Sequence, residues 1–267
     1  MMSLISKIIF TFALTLGTAH AAIQTEVIDY KDGNTDLEGY IAYDDQVMTP
    51  RPVVLIIHQW GGLGDYEKMR AQKVAELGYV AFAIDIYGKG IRPVDPAERS
   101  RISDSYKSGN RALYRQRMMA ALEYTKTDAR MDASKAVVMG YCFGGTGALE
   151  MARAGAAVLG AVSFHGALTN PNPQDVPNMI MPIMIHHGAI DPLVPPDEVA
   201  AFKAEMDIAH IDYAFTAYGN AVHSFTDKNA GDNPSLGFAY NEKADMRSWE
   251  SLVTFLKEVI PLPTIKK

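Results

Sequence analysis

The segment Gly140-Tyr141-Cys142-Phe143-Gly144-Gly145 carries the only cysteine of the 267-residue chain. Cys142 lies at the centre of a Gly-x-Cys-x-Gly pattern, with an apolar run at 136–139 before it and a helical pattern at 146–154 after it. In a sharp strand-to-helix turn, side chains two positions from the tip would collide, so both positions are glycine. The segment therefore predicts a nucleophile elbow with the Cys142 thiol at its tip.

The predicted elbow also sets the electrostatic surroundings of the thiol. Cys142 would lie at the N-terminus of the following helix, where the helix dipole and free N–H groups favour a thiolate. The backbone N–H of Phe143 would point into an oxyanion hole. The alternative interpretation is a buried structural cysteine beside a glycine-rich turn, since free cysteines are commonly buried.

Short apolar runs alternate with helical patterns along most of the chain. Such runs are typical of buried parallel strands, and the alternation implies right-handed crossovers with helices on both faces of an α/β sheet. The runs at 24–30 and 37–43 flank Asp32-Gly33-Asn34 and predict an opening antiparallel hairpin. Further strands are predicted at 53–57, 79–84, 136–139, 159–164, 183–185 and 213–217, and helices at 66–77, 111–127, 146–154, 198–208 and 243–259.

Two stretches between these elements show no clear periodicity. The segment 91–107 is polar, and we expect it to be irregular and a candidate cap over the site. The segment 170–181 is rich in proline and asparagine and predicts a loop.

Two polar residues follow predicted strands downstream of the elbow. Asp191 comes after the strand at 183–185, at the carboxyl end where α/β sites gather. His223 lies in the loop after the strand at 213–217. The order nucleophile, acid, base along the chain matches a catalytic triad. In that triad His223 accepts the thiol proton of Cys142 and returns it to the leaving group, while Asp191 orients the imidazole.

Both partners also have plainer interpretations. Asp191 would cap the proline-rich turn that follows it, and His223 would be an ordinary surface histidine. Four more histidines end apolar strands and are expected to be hydrogen-bonded structural or pocket-lining residues, namely His58, His165, His186 and His187. Because adjacent strand residues face opposite ways, the last two are not expected to share a metal ion. We predict neither a metal nor a cofactor.

The first 21 residues differ from the rest of the chain. Lys7 is their only charge, an apolar run follows at 8–16, and Ala19-His20-Ala21 has the form of a cleavage site. The run is too short to span a bilayer as a helix. We therefore predict a secretory signal peptide at 1–21 and an exported protein, periplasmic or secreted. A membrane anchor or a buried N-terminal helix is the alternative.

Composition limits the partners of the predicted single domain at 22–267. The formal net charge of the full chain is −6, and no Lys/Arg run with interleaved aromatics suggests nucleic acid. No apolar run after the signal peptide approaches membrane length. One cysteine rules out an intrachain disulfide. The oligomeric state stays open.

Taken together, these residues resemble the dienelactone hydrolase family over nearly the whole mature chain. The resemblance implies an α/β-hydrolase fold and hydrolysis of small enol lactones and related esters through an acyl-cysteine, without metal or cofactor. It implies the triad Cys142, Asp191 and His223, with the backbone N–H of Trp60 as a second oxyanion donor beside Phe143. Its marks are the elbow at 140–145, His58-Gln59-Trp60-Gly61-Gly62, Asp85-Ile86-Tyr87-Gly88-Lys89, His187-Gly188-Ala189-Ile190-Asp191-Pro192 and His223-Ser224-Phe225.

Three positions depart from the family pattern. Gln59 stands where the family usually has a glutamate that holds and activates the resting thiol, and an amide cannot accept a proton. The two arginines that bind a substrate carboxylate correspond to Lys89, which lacks the bidentate fork, and to a position near Asp227, which is negative. Gln59 and Lys89 are therefore substrate-binding candidates for a neutral or smaller ester.

Three functions compete. The first is a hydrolase that cleaves a small ester or lactone. The second is a hydrolase-fold protein that binds a small ligand with little turnover, because Gln59 replaces the activating glutamate. The third is redox sensing by the Cys142 thiolate, which would need a partner thiol that this chain does not offer. No serine lies in an elbow pattern, which argues against a serine nucleophile.

Overall fold

A computed structural model describes residues 22–263. Eight strands and six α-helices of more than eight residues lie within this range. The strands are β1 (Ile23–Asp32), β2 (Thr35–Asp44), β3 (Arg51–Ile57), β4 (Val80–Ile84), β5 (Met131–Tyr141), β6 (Ala161–Phe164), β7 (Ile183–Gly188) and β8 (Tyr213–Tyr218). The helices are α1 (Asp65–Glu76), α2 (Pro96–Asp104), α3 (Arg111–Tyr124), α4 (Phe143–Arg153), α5 (Pro196–Ile208) and α6 (Glu242–Val259).

All eight strands form one sheet in the order β1-β2-β4-β3-β5-β6-β7-β8. The opening pair β1–β2 is an antiparallel hairpin whose turn contains Gly33 at φ 56°. Strand β2 also pairs antiparallel with β4, and every other pair is parallel. The predicted α/β class with a mostly parallel central sheet is confirmed.

The central strands are buried on both faces because helices cover both. Every residue of β3 and of β4 is buried, as expected for interior parallel strands. Successive strand side chains face opposite ways, so Val53, Leu55 and Ile57 join one core while Val54 and Ile56 join another. Helices α3, α4 and α5 contribute to the first core, and α1 and α6 to the second. The prediction of helices on both faces is therefore confirmed.

Several predicted boundaries change. The segment 91–107 was expected to be irregular, and this was wrong, because it contains α2 and runs into a π-helical turn at Ser105–Gly109. Asp95 caps α2 by accepting hydrogen bonds from the N–H groups of Ala97 and Glu98, and Pro96 occupies the first turn. Only one α2 residue is buried, so the helix lacks the apolar stripe on which the sequence interpretation relied.

Other differences follow from local geometry. Helix α4 begins at Phe143 rather than at residue 146, because the elbow glycines are already helical. The segment predicted as a loop at 170–181 contains a 3₁₀ turn at Pro173–Asn178. The predicted signal peptide at 1–21 lies outside the described residues. Between residues 22 and 263, no helix is long and apolar enough to cross a membrane.

Candidate active site

Cys142 occupies a sharp turn between β5 and α4. Its backbone has φ 56° and ψ −118°, a conformation that L-residues adopt only when the surrounding structure imposes it. A Cβ added at Gly140 would lie 2.0 Å from the carbonyl oxygen of Gly144, and one at Gly144 would lie 2.2 Å from that of Ile57. The two glycines therefore allow β5, α4 and β3 to approach closely enough to form this turn.

The structure brings Asp191 and His223 together beside the elbow. Asp191 follows β7, His223 follows β8, and both side chains are buried. Nδ1 of His223 lies 2.9 Å from Oδ2 of Asp191. The other carboxylate oxygen, Oδ1, accepts a hydrogen bond of 2.8 Å from the N–H of Leu193. Asp191 therefore caps its own turn and holds the imidazole at the same time, so the two interpretations of this residue are compatible.

The thiol and the imidazole shift each other's pKa values in opposite directions. Burial raises the pKa of the Cys142 thiol, but His223 and the N–H of Phe143 lower it by more, and the net pKa lies below that of an ordinary cysteine. Burial lowers the pKa of His223, whereas the Cys142 sulfur and the Asp191 carboxylate raise it to about 10. These opposing shifts favour a thiolate paired with an imidazolium.

His165 contacts the backbone of the elbow at Cys142. The N–H of Cys142 lies 3.1 Å from Nδ1 of His165 and 3.0 Å from the carbonyl oxygen of Phe164. Because Nδ1 accepts a hydrogen bond, the ring proton is on Nε2, which lies 2.8 Å from Oγ1 of Thr226. Burial holds the pKa of His165 well below its usual value, so the ring stays neutral. The prediction of a hydrogen-bonded histidine at this position did not include its contact with the elbow.

Two backbone N–H groups are left without an oxygen acceptor at the cavity. Neither Trp60 nor Phe143 donates its N–H to an oxygen of any described residue. Both residues line the same cavity as Cys142 and His223. The carbonyl groups of Phe143 and Trp60 are held by the hydroxyls of Tyr114, at 2.6 Å, and Tyr87, at 3.0 Å. Backbone N–H groups held rigidly beside a nucleophile can donate hydrogen bonds to an oxyanion that develops on the substrate, which is the arrangement such a site needs.

The cavity has a volume of about 600 Å³ and mixed chemistry. One wall comes from α2 and the π-helical turn, which contribute Arg99, Asp104 and Lys107. Lys107 is paired with Asp104 at 3.2 Å, and the Arg99 guanidinium lies over the Trp60 ring, 5.8 Å from its centroid. The apolar lining includes three partly exposed side chains, Leu193, Leu236 and Phe238. The cavity can therefore hold a small molecule with both polar and apolar parts.

Gln59 lines the cavity and is held by two carboxylates. Its Nε2 donates to Oδ2 of Asp227 at 3.1 Å, and its backbone N–H donates to Oε1 of Glu67 at 2.9 Å. A carboxylate can only accept hydrogen bonds, so the NH₂ group of Gln59 faces Asp227. The side-chain oxygen of Gln59, Oε1, therefore points away from Asp227. Burial raises the pKa of Glu67 to about 7. Glu67 was not among the predicted site residues, because no sequence motif marks it.

Lys89 does not reach the cavity, which corrects the expectation that it contacts substrate. It is not among the residues lining the cavity, and its Nζ pairs with Oδ2 of Asp29 on β1 at 2.5 Å. Both side chains are largely exposed. The N–H of Lys89 donates a hydrogen bond of 2.9 Å to the carbonyl oxygen of Asp36 at the start of β2.

Comparisons with known proteins show which family the chain resembles. The model of the dienelactone hydrolase family matches residues 37–260. A protein of Bradyrhizobium sp named "Probable 2-oxo-3-(5-oxofuran-2-ylidene)propanoate lactonase" is 28% identical over 248 residues, which cover 88% of this chain and 96% of that protein. The name of this relative describes it as a probable lactonase.

Two solved structures are similar over almost their whole length. The structure named m3DLH has a TM-score of 0.85 and 35% identity, covering 90% of this chain and 99% of its own. The dienelactone hydrolase-like promiscuous phosphotriesterase P91, from metagenomic libraries, has a TM-score of 0.85 and 36% identity, covering 91% of this chain and 100% of its own. An acylaminoacyl peptidase of Pyrococcus horikoshii shares the fold at 12% identity, with a TM-score of 0.70. The chain belongs to the dienelactone hydrolase family, with an α/β-hydrolase fold, and is a hydrolase of the lactone or ester type.

Proposed function

We propose that this hydrolase cleaves a small ester or lactone with Cys142 as nucleophile, His223 as base and Asp191 as the residue that orients the base. The observation that carries the proposal is the His223–Asp191 hydrogen bond of 2.9 Å beside a cysteine held at a strained elbow. An adjacent base, itself oriented by a third group, is the usual way in which a protein activates a nucleophile.

Acylation begins from the thiolate–imidazolium pair. The Cys142 sulfur attacks the carbonyl carbon, a C–S bond forms, and the carbonyl electrons move to oxygen. The N–H groups of Phe143 and Trp60 donate hydrogen bonds to this oxyanion. When the intermediate collapses, the C–O bond to the leaving group breaks, and the leaving oxygen takes the proton of the His223 imidazolium. A lactone keeps this leaving group attached to the acyl chain.

Deacylation uses the same groups in reverse order. His223, now neutral, takes a proton from water as the water oxygen attacks the acyl-cysteine carbonyl. The C–S bond then breaks, the carboxylic product leaves, and the thiolate–imidazolium pair is restored. Asp191 stabilises the imidazolium in both steps, because its carboxylate lies against Nδ1.

The cavity favours small substrates that are uncharged near the sulfur. Asp227 lines the cavity, and its negative charge disfavours a substrate carboxylate beside it. The partly exposed Leu193, Leu236 and Phe238 suit an apolar acyl or alcohol group. No metal is needed for this chemistry, and within residues 22–263 no cluster of three His, Cys, Asp or Glu side chains could hold one.

The test is steady-state hydrolysis by residues 22–267 on short p-nitrophenyl esters, small lactones and one phosphotriester. We expect turnover on carboxylic substrates that disappears in Cys142→Ala and falls strongly in Cys142→Ser, with unchanged circular dichroism. Turnover that persists in Cys142→Ala would refute the proposed nucleophile. No turnover on any substrate would favour the alternative, a hydrolase-fold protein that binds a small ligand, and a binding assay with the same panel would then decide.

We also propose that the chain is exported, periplasmic or secreted, after cleavage behind Ala21. The support is the charge, apolar run and Ala-x-Ala pattern of residues 1–21. Expression of the full chain in a Gram-negative host, followed by fractionation and mass determination, tests this. A periplasmic product that begins at Ala22 is expected, whereas an uncleaved cytoplasmic chain would overturn the proposal.

A further inference from the structure

His58 is a fully buried histidine that lines no part of the cavity but touches the segment that does. It follows β3 directly, and its side chain has no exposed surface. Nδ1 of His58 lies 2.6 Å from the carbonyl oxygen of Gln59, and the N–H of Ile86 lies 3.2 Å from Nε2. A carbonyl oxygen can only accept and a backbone N–H can only donate. The proton of the ring must therefore be on Nδ1, and both nitrogens are used.

The tautomer of His58 is stable over the range in which the protein would act. Burial lowers the pKa of His58 to about 4, although the nearby Asp85 carboxylate opposes this. At neutral pH the ring is therefore uncharged, and the N–H of Ile86 keeps Nε2 free of a proton. His58 acts as a fixed donor toward the Gln59 carbonyl rather than as a titrating group.

The Gln59 carbonyl matters because it shares a peptide unit with the N–H of Trp60. The peptide unit is planar, and no described residue has a cis peptide bond, so the carbonyl and the N–H point in opposite directions. The carbonyl is held by His58 Nδ1 and also by the N–H of Gly62 at 3.1 Å. With the carbonyl held on one side, the N–H of Trp60 is aimed to the other side, where it finds no acceptor among the described residues.

We propose that His58 is a positioning residue for the oxyanion hole, whose Nδ1–H holds the Gln59 carbonyl and thereby directs the N–H of Trp60 at the acyl oxygen. This inference rests on the proposed function, in which that N–H stabilises the oxyanion. Hydrogen bonds to the carbonyl also polarise the amide and make its N–H a stronger donor. The His58 ring further stacks on the ring of Phe143, with centroids 5.6 Å apart and an 18° angle between planes, and so contacts the second donor residue.

Two substitutions of His58 distinguish a positioning role from a purely structural one, because each retains only one of its two hydrogen bonds. The amide nitrogen of His58→Asn lies near the position of Nδ1 and can still donate to the Gln59 carbonyl. The amide oxygen of His58→Gln lies near the position of Nε2 and can still accept from Ile86. If His58 serves only to support the end of β4, His58→Gln is the milder change. If it positions the oxyanion donor, His58→Asn is the milder change.

The experiment measures kcat and KM for both variants on an ester that the wild type hydrolyses. We expect kcat to fall about 10- to 100-fold in His58→Gln and less than about 5-fold in His58→Asn, with KM nearly unchanged, since direct loss of one oxyanion donor costs about 100- to 1000-fold. As a matched control, His186→Gln and His186→Asn change another fully buried histidine that lies outside the cavity lining. Both controls should retain the wild-type kcat.

Two further readouts separate the oxyanion hole from the nucleophile. Alkylation of Cys142 by iodoacetamide forms no oxyanion, so its rate should be unchanged in His58→Gln. An aldehyde inhibitor that forms a hemithioacetal with Cys142 does form one, so its inhibition constant should rise in parallel with the loss of kcat. Equal kcat in the two variants, a milder His58→Gln, or an alkylation rate that falls with kcat would overturn the inference. Hydrolysis that survives Cys142→Ala would instead overturn the proposed function.

The wild-type protein provides a test that does not depend on variant folding. The ¹⁵N shifts of a histidine ring distinguish the two neutral tautomers, and His58 should carry its proton on Nδ1. The amide signal of Trp60 should shift strongly when the aldehyde binds. A His58 ring protonated on Nε2, or a Trp60 amide that does not respond, would contradict the proposed role even if both His58 variants fail to fold.

Discussion

Asp191 and His223 are 32 positions apart in the chain, yet Nδ1 of His223 lies 2.9 Å from Oδ2 of Asp191. Strands β7 and β8 are parallel neighbours in the sheet, so the loops that follow them leave the same edge. The pairing of these side chains is thus a direct consequence of strand order, and it has measurable consequences for the candidate site.

Asp191→Asn should lower kcat by about 100- to 10,000-fold with little change in folding. An amide can present its NH₂ group to Nδ1, which then loses its proton, so His223 takes the wrong tautomer for accepting a proton from water. The measurement is kcat together with the melting temperature. Asp197→Asn, on the exposed start of α5, is the control and should match the wild type. Equal activity in Asp191→Asn would remove this residue from the proposed triad.

The Cys142 thiolate should form at lower pH than that of an ordinary cysteine, whose pKa is about 8.5. His223 is the largest influence that lowers this pKa, and burial opposes it. In the folded protein the thiolate–imidazolium pair should therefore persist from below that value up to the raised pKa of His223, about 10. The rate of iodoacetamide alkylation against pH measures this.

The substitution His223→Gln should change the pH dependence of Cys142 alkylation. Without the imidazolium, burial dominates and the pKa of the Cys142 thiol should rise. The midpoint of the profile should shift to higher pH, and hydrolysis should be lost. A midpoint identical to the wild type would show that His223 does not govern the thiol.

Gly144→Ala should prevent folding or lower the free energy of unfolding by more than about 4 kcal/mol. Its Cβ would lie 2.2 Å from the carbonyl oxygen of Ile57, and backbone cannot move away without breaking the packing of α4 on β3. Gly219→Ala is the control, because nothing lies within 4 Å of its Cβ and its φ is not positive. That variant should change stability by less than about 0.5 kcal/mol, measured by urea unfolding.

Gln59→Glu should raise the pKa of the Cys142 thiol and slow its alkylation near neutral pH. The substituted carboxylate would face Asp227, whose Oδ2 now accepts from Gln59 Nε2 at 3.1 Å, so a hydrogen bond becomes a like-charge contact. Adding Asp227→Asn to this variant should restore much of the wild-type profile. Identical alkylation rates across pH in wild type and Gln59→Glu would show that position 59 does not influence the sulfur.

Lys89→Ala should leave kcat and KM within about twofold of wild type, because surface ion pairs contribute little and this one lies outside the cavity. Lys107→Ala is the informative comparison, since Lys107 lines the cavity and helps to lower the pKa of Cys142. A rise in KM confined to Lys89→Ala would mean that the Lys89 loop moves toward the substrate.

Local patterns in the sequence predicted most of the architecture. Apolar runs of strand length separated by helical patterns are enough to indicate a parallel α/β sheet, because strands buried on both faces cannot alternate in polarity. The elbow at 140–145 was equally readable, since only glycine tolerates the contacts of 2.0 and 2.2 Å that the turn creates. Helix α2 was missed because it buries almost nothing, and its local signals were confined to the Asp95 cap and Pro96 at its N-terminus.

The chain alone therefore specified the sheet, the elbow and the order of Cys142, Asp191 and His223, because periodicity, glycine sterics and chain order are all properties of short segments. Only the tertiary structure decided which distant groups meet. It separated Lys89 from the cavity, brought Asp227 to Gln59, and placed the N–H of Ile86 against Nε2 of His58. Such contacts depend on how strands far apart in sequence align in the sheet, and that alignment results from packing of the whole core rather than from any local pattern.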